Sequence, residues 1–530
     1  MADAPTFSQM PYERPDLAAA CAQVDELSRR MASAATLEEA DAAFLEKDQL
    51  DRHVMTLETI AHIRHVVDTR DEFYDAEESF WSEAMPEVEA HNDAWRTALL
   101  DSPFCGQLAE RYGRLVFDQL EQERRTFSPA IVEDMKRENA LAQEYTKLIA
   151  SAQIEFQGGT YTLSQLTPFK TDADDAVRLA AWKAEGGWYK EHQADLSYGR
   201  EDVERFREAV RTYVVPLADR IYRAQAERCG VEYPLSFADE ALSFRSGNPR
   251  PSGTADDILE AGRGFYRELS PETGEFFDMM LDRGLMDVLS TEGKAGGGFM
   301  TEIPDYDVPF IFANFNGTQG DVEVVTHEAG HAFSYYMNTQ RVPLSNAMPS
   351  MEACEVHSMS MEFMAWPWAE RFFGDDARKF RYSHLAAALT FIPYGTMVDH
   401  FQHEVYERPE MTPAERHATW KRLLGTYMPW MRLDGEIPFY SEGEGWQRQS
   451  HIYQTPFYYI DYCLAQTVSL EFWAMSQDDF ANAWEHYMAY TRQGGSRAFT
   501  DLLAGAGMTS PFEGDCLRRI CERASQWLES

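Results

Sequence analysis

The chain has 530 residues, 44% of them hydrophobic and 13% aromatic, enough apolar surface for a large packed core and too much for a disordered chain. Its 88 acidic and 48 basic residues leave a formal charge of −40, a surface that repels nucleic acid and anionic membranes and attracts cations. Seven scattered cysteines with no Cys-x-x-Cys pair indicate neither a disulfide framework nor a structural zinc knuckle, so reduced thiols in a cytoplasmic protein are expected. No basic start followed by an apolar run marks a secretory signal, and no run of 18 apolar residues predicts a transmembrane helix.

Residues from about 15 to 150 read as long helices, with apolar positions at three- and four-residue steps. Thr36 followed by Glu39 predicts a capping box, and Pro86 and Pro103 are expected to punctuate the run. The stretch FQGGTYTLSQLTPF, 156–169, reads as a small hairpin or turn, after which helix resumes. Between 294 and 317 the pattern changes. Gly296, Gly297 and Gly298 predict a mobile loop, and VPFIFANF, rich in aromatic and branched residues, predicts a strand. From 350 onward the chain is helical again, so the class is mostly α with a small β element.

The strand leads into VVTHEAGHAF, 324–333, which carries His-Glu-x-x-His. On a helix, residues i and i+4 share a face, so His327 and His331 can both present an imidazole to one ion, with Glu328 placed to reach its water. Asp321 is expected to cap this helix, and Gly330 suggests a close backbone approach, by the neighbouring strand among other candidates. A catalytic zinc needs a third protein ligand. A third histidine six residues beyond His331 is excluded, because position 337 is Met337. The helix predicted to open near Ser350 offers Glu352, Glu355 and Glu362 instead, with Glu355 and Glu362 two turns apart on one face and Ser358 between them.

His327-Glu328-x-x-His331 followed by Glu355 in ACEVHSMSMEF resembles the oligoendopeptidase F and thimet oligopeptidase family of zinc metallopeptidases, closest to the bacterial branch that is not oligoendopeptidase F proper. In that family the third ligand is a glutamate about 25 residues past the second histidine. Glu355 stands 24 residues past His331, so the resemblance selects it, with Ser358 and Glu362 supporting the ligands. SHIYQTPFYYIDYCLAQ, 450–466, agrees: His451, Tyr459 and Tyr462 are implied as donors to an oxyanion, with Tyr453 and Tyr458 as substrate contacts. Tyr458 is expected to serve packing first, and its exchange with Tyr459 stays open. The implied fold is an elongated, mostly α, two-lobed metallopeptidase with a deep central channel and a small sheet beside the zinc helix. An N-terminal helical lobe at 1–195 and a catalytic lobe at 196–530 are expected.

The implied activity is a zinc endopeptidase that hydrolyses internal bonds of short unfolded peptides, with Glu328 activating a zinc-bound water. Strand 308–315, with Phe312 and Ala313, is expected to pair with the substrate backbone, and Gly296 to Gly298 to close over it. An exopeptidase of the same fold, a peptide-binding protein with a vestigial site and a metal-storage protein remain rivals, and cobalt or manganese could replace zinc. His400, His403 and Glu404 are read as a helix surface or domain contact rather than a metal site. Cys354 is expected to stay protonated beside its acidic neighbours.

Overall fold

A computed structural model describes residues 4–126, 135–137, 147–190, 204–433, 435–513 and 515–530. The expected lobe boundary at 195/196 lies outside these residues. Among the described residues the protein is mostly helical, with two small sheets. Among the described residues no helix is long and apolar enough to cross a membrane.

Long helices α1 (Leu17–Ser33), α2 (Leu37–Val67) and α3 (Glu72–Leu100) open the chain, each capped by a side-chain oxygen, from Asp16, Thr36 and Asp71 respectively. The box predicted at Thr36 is split. Its hydroxyl accepts from Glu39 N at 3.2 Å, but the Glu39 carboxylate takes Ala35 N at 2.7 Å. Pro86 does not break the run, because α3 continues through it, held by packing on α1 and α2 that offsets the lost backbone bond. Pro103 does fall in a break, before α4 (Cys105–Tyr112) and α5 (Arg114–Thr126).

Helix α2 spans about 46 Å at 1.5 Å per residue and joins two cores. Its first half packs Ala40, Ala43 and Phe44 against Val24, Leu27, Met31, Trp95 and Leu99. Its second half sends Ile60, Ile63 and Val66 into the main core with Ile303, Val308 and Phe310. Polar contacts run along the same side. Asp48 accepts from Leu344 N at 2.6 Å, Arg52 donates to Arg341 O at 2.8 Å, and Thr56 accepts from Asp305 N at 2.9 Å.

The predicted hairpin is present but short: β1 (Ile154–Phe156) pairs antiparallel with β2 (Gly159–Tyr161). The turn places Gln157 at φ 49° and Gly158 at φ 82°, two left-handed residues of the kind that joins tight hairpins. The rest of the stretch is α6 (Leu163–Lys170), opened by a Thr162–Gln165 capping box and followed by α7 (Asp175–Lys190). Helices α8 (Val215–Cys229), α9 (Ala255–Leu269) and α10 (Pro271–Asp282) lead to the second sheet.

That sheet has the order β3 (Met286–Leu289), β5 (Val308–Phe315), β4 (Phe299–Ile303). β5 is parallel to β3, with Met286 opposite Ile311, and antiparallel to β4, with Phe299 opposite Phe312. This corrects the expectation that 308–315 adds a substrate strand: both sides of β5 are taken, and the outer edges of the sheet belong to β3 and β4.

Helix α11 (Gly320–Asn338) follows β5, then α12 (Met351–Met364), which opens after Ser350 as predicted. Asp321 is not the cap of α11. It lies inside the first turn, and its carboxylate accepts from Asn316 N at 2.9 Å and Gly317 N at 2.8 Å, bracing the turn out of β5. Helices α13 (Ala377–Glu407), α14 (Pro413–Tyr427) and α15 (Tyr459–Asp478) complete the surroundings of the site.

The N-terminal PYERPD segment is fastened to α3 at Glu77. Tyr12 donates to its carboxylate at 2.6 Å, and Arg14 does so at 2.5 Å while stacking on Phe80 at 4.4 Å. The Arg14 hydrogen bond, opposed by burial, holds the Glu77 carboxyl below its usual range. A depressed carboxylate stabilises the fold above the unfolded value near pH 4.3 and loses that contribution as pH falls through the folded value. Glu77→Gln should therefore cost about 1–3 kcal/mol near pH 7. In thermal unfolding of both proteins across pH, the gap should close below about pH 4.

Candidate metal centre

The three candidate ligands converge. One donor atom each from His327, His331 and Glu355 lies within 4.8 Å of the others. His327 Nε2 is 3.4 Å and His331 Nε2 is 3.5 Å from Glu355 Oε2. Ligand atoms about 2.1 Å from a tetrahedral ion stand about 3.4 Å apart, so two imidazoles and a carboxylate at these separations fit an ion of zinc's class. No other group of ligand side chains among the described residues converges this way.

The packing of α11 on α12 produces this geometry. A carbon added at Gly330 would lie 2.7 Å from His357 O and 2.7 Å from Ser358 Cα. The close approach that Gly330 serves therefore comes from α12, not from the neighbouring strand. With the backbones in contact, Glu355 reaches across to the face that carries His327 and His331. Ser358 donates to the Glu355 backbone oxygen at 3.0 Å and to Oε2 at 3.1 Å. Glu362 Oε1 is 2.7 Å from His327 Nδ1, and its Oε2 is 2.6 Å from His384 Nε2.

Charge and burial act together here. Burial works against ionisation of Glu355, but His331 and His327 hold its carboxyl well below the usual range. Glu362 is likewise buried, and its hydrogen bonds to His327 and His384 bring it down to about 2. Glu328 moves the other way: burial raises it, Glu355 and Glu362 add to the rise, and the two imidazoles oppose it. A buried carboxylate with a raised pKa suits a group that takes up and returns a proton. Burial and the adjacent Glu355, Glu302 and Glu352 push the Cys354 thiol well up, so it stays protonated, donating to Pro349 O at 3.1 Å.

The tyrosine cluster is arranged differently from the expectation. Tyr458 donates directly to Glu355 Oε1, so it faces the ligands rather than serving packing. Tyr462 lies beside it, ring centres 4.7 Å apart, and its hydroxyl is 3.2 Å from His451 Nε2. Tyr459 packs its ring on His451 at 5.0 Å, Phe391 at 5.8 Å and Tyr394 at 6.0 Å, and among the described residues it makes no hydrogen bond to the ligand carboxylate. The reason is helical geometry: α15 begins at Tyr459, and residues 458 and 462 are the pair four apart that share one face. Gln449, which the sequence reading missed, orients His451. Tyr394 donates to the Gln449 amide oxygen at 3.0 Å, leaving the amide nitrogen to donate to His451 Nδ1 at 2.7 Å. His451 therefore carries its proton on Nε2, and burial lowers its pKa.

Other expected contacts fall away. Tyr453 is buried against Trp446, 6.2 Å between ring centres, and lies in the core rather than the cleft. Phe312 and Ala313 are fully buried in the central strand, with Phe312 stacked on Phe299 at 5.0 Å and under the Lys294 ammonium at 4.6 Å. The glycine loop is tethered rather than mobile. Lys294, itself buried, donates to Asp287 and to Leu289 O at 2.8 Å. Asn314 donates to Ala295 O and Gly297 O, both at 2.9 Å. Gly298 borders the site, since a carbon there would stand 3.8 Å from Glu328 Oε1.

His400 and His403 do not converge on one point. His400 Nδ1 meets the Tyr427 hydroxyl at 3.0 Å, while His403 lies 3.3 Å from Asp399, which Arg207 also holds at 2.6 Å. His403 and Tyr406 pack on Phe457, at 5.1 and 4.6 Å, and Gln402 accepts from Phe457 N at 2.9 Å. Phe457 has φ 65°, an unfavourable left-handed turn for a bulky residue, and it sets the direction of Tyr458. Beside the centre, a cavity of about 260 Å³ lined by Glu362, His384, Phe391, His451, Tyr459 and Tyr462 adjoins one of about 450 Å³ reached past Phe391 and Tyr459.

A His-Glu-x-x-His helix locked to a second helix that supplies a carboxylate, with tyrosines and a histidine facing them, defines a metallopeptidase site. Comparison with known proteins gives the family. Residues 7–127 match the peptidase M3 N-terminal domain, and residues 273–521 match peptidase family M3. The chain is 42% identical to a protein assigned as an oligoendopeptidase F, with a TM-score of 0.96 over 99% of both chains. It is also 42% identical to PZ peptidase A, solved with an inhibitor, at 0.95 over 99% of both chains. A Bacillus anthracis protein assigned as an oligoendopeptidase F is 37% identical, at 0.91 over 99% of this chain and 98% of that one. No curated protein matches. The chain belongs to peptidase family M3 and is a metalloendopeptidase.

Alanine at Gly330 gains about 1 kcal/mol of helix propensity but meets backbone at 2.7 Å, and overpacking costs about 1–3 kcal/mol or more. Gly330→Ala is expected to lower the unfolding temperature and to weaken metal binding together, as measured by calorimetry and metal titration.

Proposed function

We propose that this protein is a zinc-dependent oligoendopeptidase that hydrolyses internal bonds of short, unfolded peptides, with His327, His331 and Glu355 as metal ligands and Glu328 as general base. The observation that supports this most is the convergence of those three ligand atoms beside the buried carboxylate of Glu328. Zinc held there would act as a Lewis acid and lower the pKa of its water.

Each remaining role belongs to a side chain. Glu328 takes the proton from the attacking water and returns it to the leaving amine. Tyr458 and Tyr462 stay protonated at neutral pH, since burial and Glu355 push both phenols well up; Tyr462 serves as donor to the developing oxyanion, and Tyr458 joins it by turning its proton from Glu355 Oε1 to the oxyanion. His451 donates from Nε2 to the Tyr462 oxygen, which leaves the Tyr462 proton for the substrate. Tyr459 has no part in this step. The outer edge of β4, which has no strand partner among the described residues, is the candidate for pairing with an extended peptide, and Gly298 lets that backbone pass close to Glu328. The two-lobe division at 195/196 and a role in cytoplasmic peptide turnover complete the reading.

Digestion of a mixed set of peptides of about five to forty residues, followed by mass spectrometry, tests it. Internal cleavage of the short members should be lost on chelation and restored by zinc, and Glu328→Gln should lose several orders of magnitude in turnover while still binding peptide. Removal of terminal dipeptides alone would favour an exopeptidase. The tyrosine assignment predicts that Tyr458→Phe and Tyr462→Phe lower kcat by about 10²–10³ with little change in KM, while Tyr459→Phe stays within a few fold. Steady-state kinetics on one cleaved peptide decides between Tyr458 and Tyr459.

A further inference from the structure

The candidate ligand His327 stands at one end of a hydrogen-bonded chain that runs outward through Glu362 and His384 to Trp366. Every link has one allowed direction. The indole Nε1 of Trp366 can only donate, and it lies 3.0 Å from His384 Nδ1, so that nitrogen is the acceptor. The neutral His384 ring then carries its proton on Nε2, 2.6 Å from Glu362 Oε2. The other Glu362 oxygen, Oε1, lies 2.7 Å from His327 Nδ1. A carboxylate oxygen accepts, so His327 holds a proton on Nδ1, which leaves Nε2, 3.4 Å from Glu355 Oε2, as the nitrogen that would meet a metal.

The outer members are held rigidly. His384 is 4% exposed and lies between the rings of Phe363 at 4.6 Å and Phe380 at 5.3 Å. Trp366 is wedged against Trp527 at 5.3 Å and Trp473 at 6.2 Å. The four members come from α11, α12, the turn at Trp366–Trp368 and α13, so the chain also ties α13 to the ligand helix. Transfer of the His384 proton to Nδ1 would set the Nε2 lone pair against the Glu362 carboxylate and an N–H against the indole N–H of Trp366, and a ring flip would place C–H groups at both contacts.

We propose that Trp366 and His384 are positioning residues for the metal centre: by orienting Glu362 and fixing the proton of His327 on Nδ1, they set metal affinity without being ligands. The inference rests on the reading of His327, His331 and Glu355 as a metal site. It differs from that reading in predicting that affinity is controlled from a tryptophan two hydrogen bonds beyond Glu362.

The test is zinc titration of the metal-free full-length protein against a chromophoric chelator, with thermal unfolding of each metal-free protein recorded alongside. His384→Phe should weaken zinc binding about 10–100-fold, the range seen when partners of ligand histidines are removed. His384→Gln should recover most of that loss, since its amide can accept from Trp366 and donate to Glu362. Trp366→Phe should weaken binding in the same direction by a smaller factor. In a Glu362→Gln background, His384→Phe should add nothing further, because its effect passes through Glu362. A merely structural role would lower the unfolding temperature of the metal-free variants and leave zinc affinity within about twofold of wild type. That result, or full additivity with Glu362→Gln, overturns the proposal while the metal site stands. Wild-type protein that takes up no zinc removes the site and the proposal together.

Discussion

With no side chain at Gly330, helix α11 approaches α12 so closely that one added carbon would sit 2.7 Å from the backbone of His357 and Ser358. Side chains on two helices at ordinary separation meet through their ends. Here the short carboxylate of Glu355 spans the gap to both imidazoles without the helices having to bend. Ser358, one turn along α12, bonds the same carboxylate, and Glu362, two turns along, bonds the outer nitrogen of His327. Three positions on one face of α12 thus serve two residues on one face of α11, which is possible only while the two backbones touch.

Such a cluster is costly to bury. Glu328, Glu355 and Glu362 lie close together, and an unpaired buried carboxylate is strongly disfavoured. Donors reduce the cost: Tyr458 and Ser358 bond Glu355, while His327 and His384 bond Glu362. Among the described residues no side chain donates to Glu328, and it is the carboxylate whose pKa rises, a division of labour that separates the proton carrier from the ligands. The strained turn at Phe457 belongs to the same economy of position. His403, Tyr406 and Gln402 hold it, and it delivers Tyr458 to Glu355.

Local features of the fold were legible in the sequence, and non-local ones were not. The four-residue spacing of His327 and His331, the start of α12 at Ser350 and the strand at 308–315 depend on periodicity and capping that neighbours in sequence decide. Glu355 needed the family resemblance, because nothing within α12 distinguishes it from Glu352. Pro86 inside α3, the central place of β5 and the tethering of Gly296 to Gly298 depend on partners far along the chain, namely α1, β3 and β4, and Asn314. Tyr458 and Tyr459 differ by one residue, about 100° around a helix, and the start of α15 together with the turn at Phe457 determines which one faces the ligands. His384 and Gln449 carried no signal, since an isolated histidine or glutamine in a helical stretch is ordinary.

The account rests on a ligand set already assembled by the contact of α11 with α12. A crystal structure of the zinc-soaked protein, with anomalous data collected on both sides of the zinc edge, tests this most directly. One zinc should appear with His327 Nε2, His331 Nε2 and a Glu355 oxygen each at about 2.0–2.2 Å, and with Gly330 still packed on Ser358. A zinc bound elsewhere, or helices that must separate to admit it, would contradict the account.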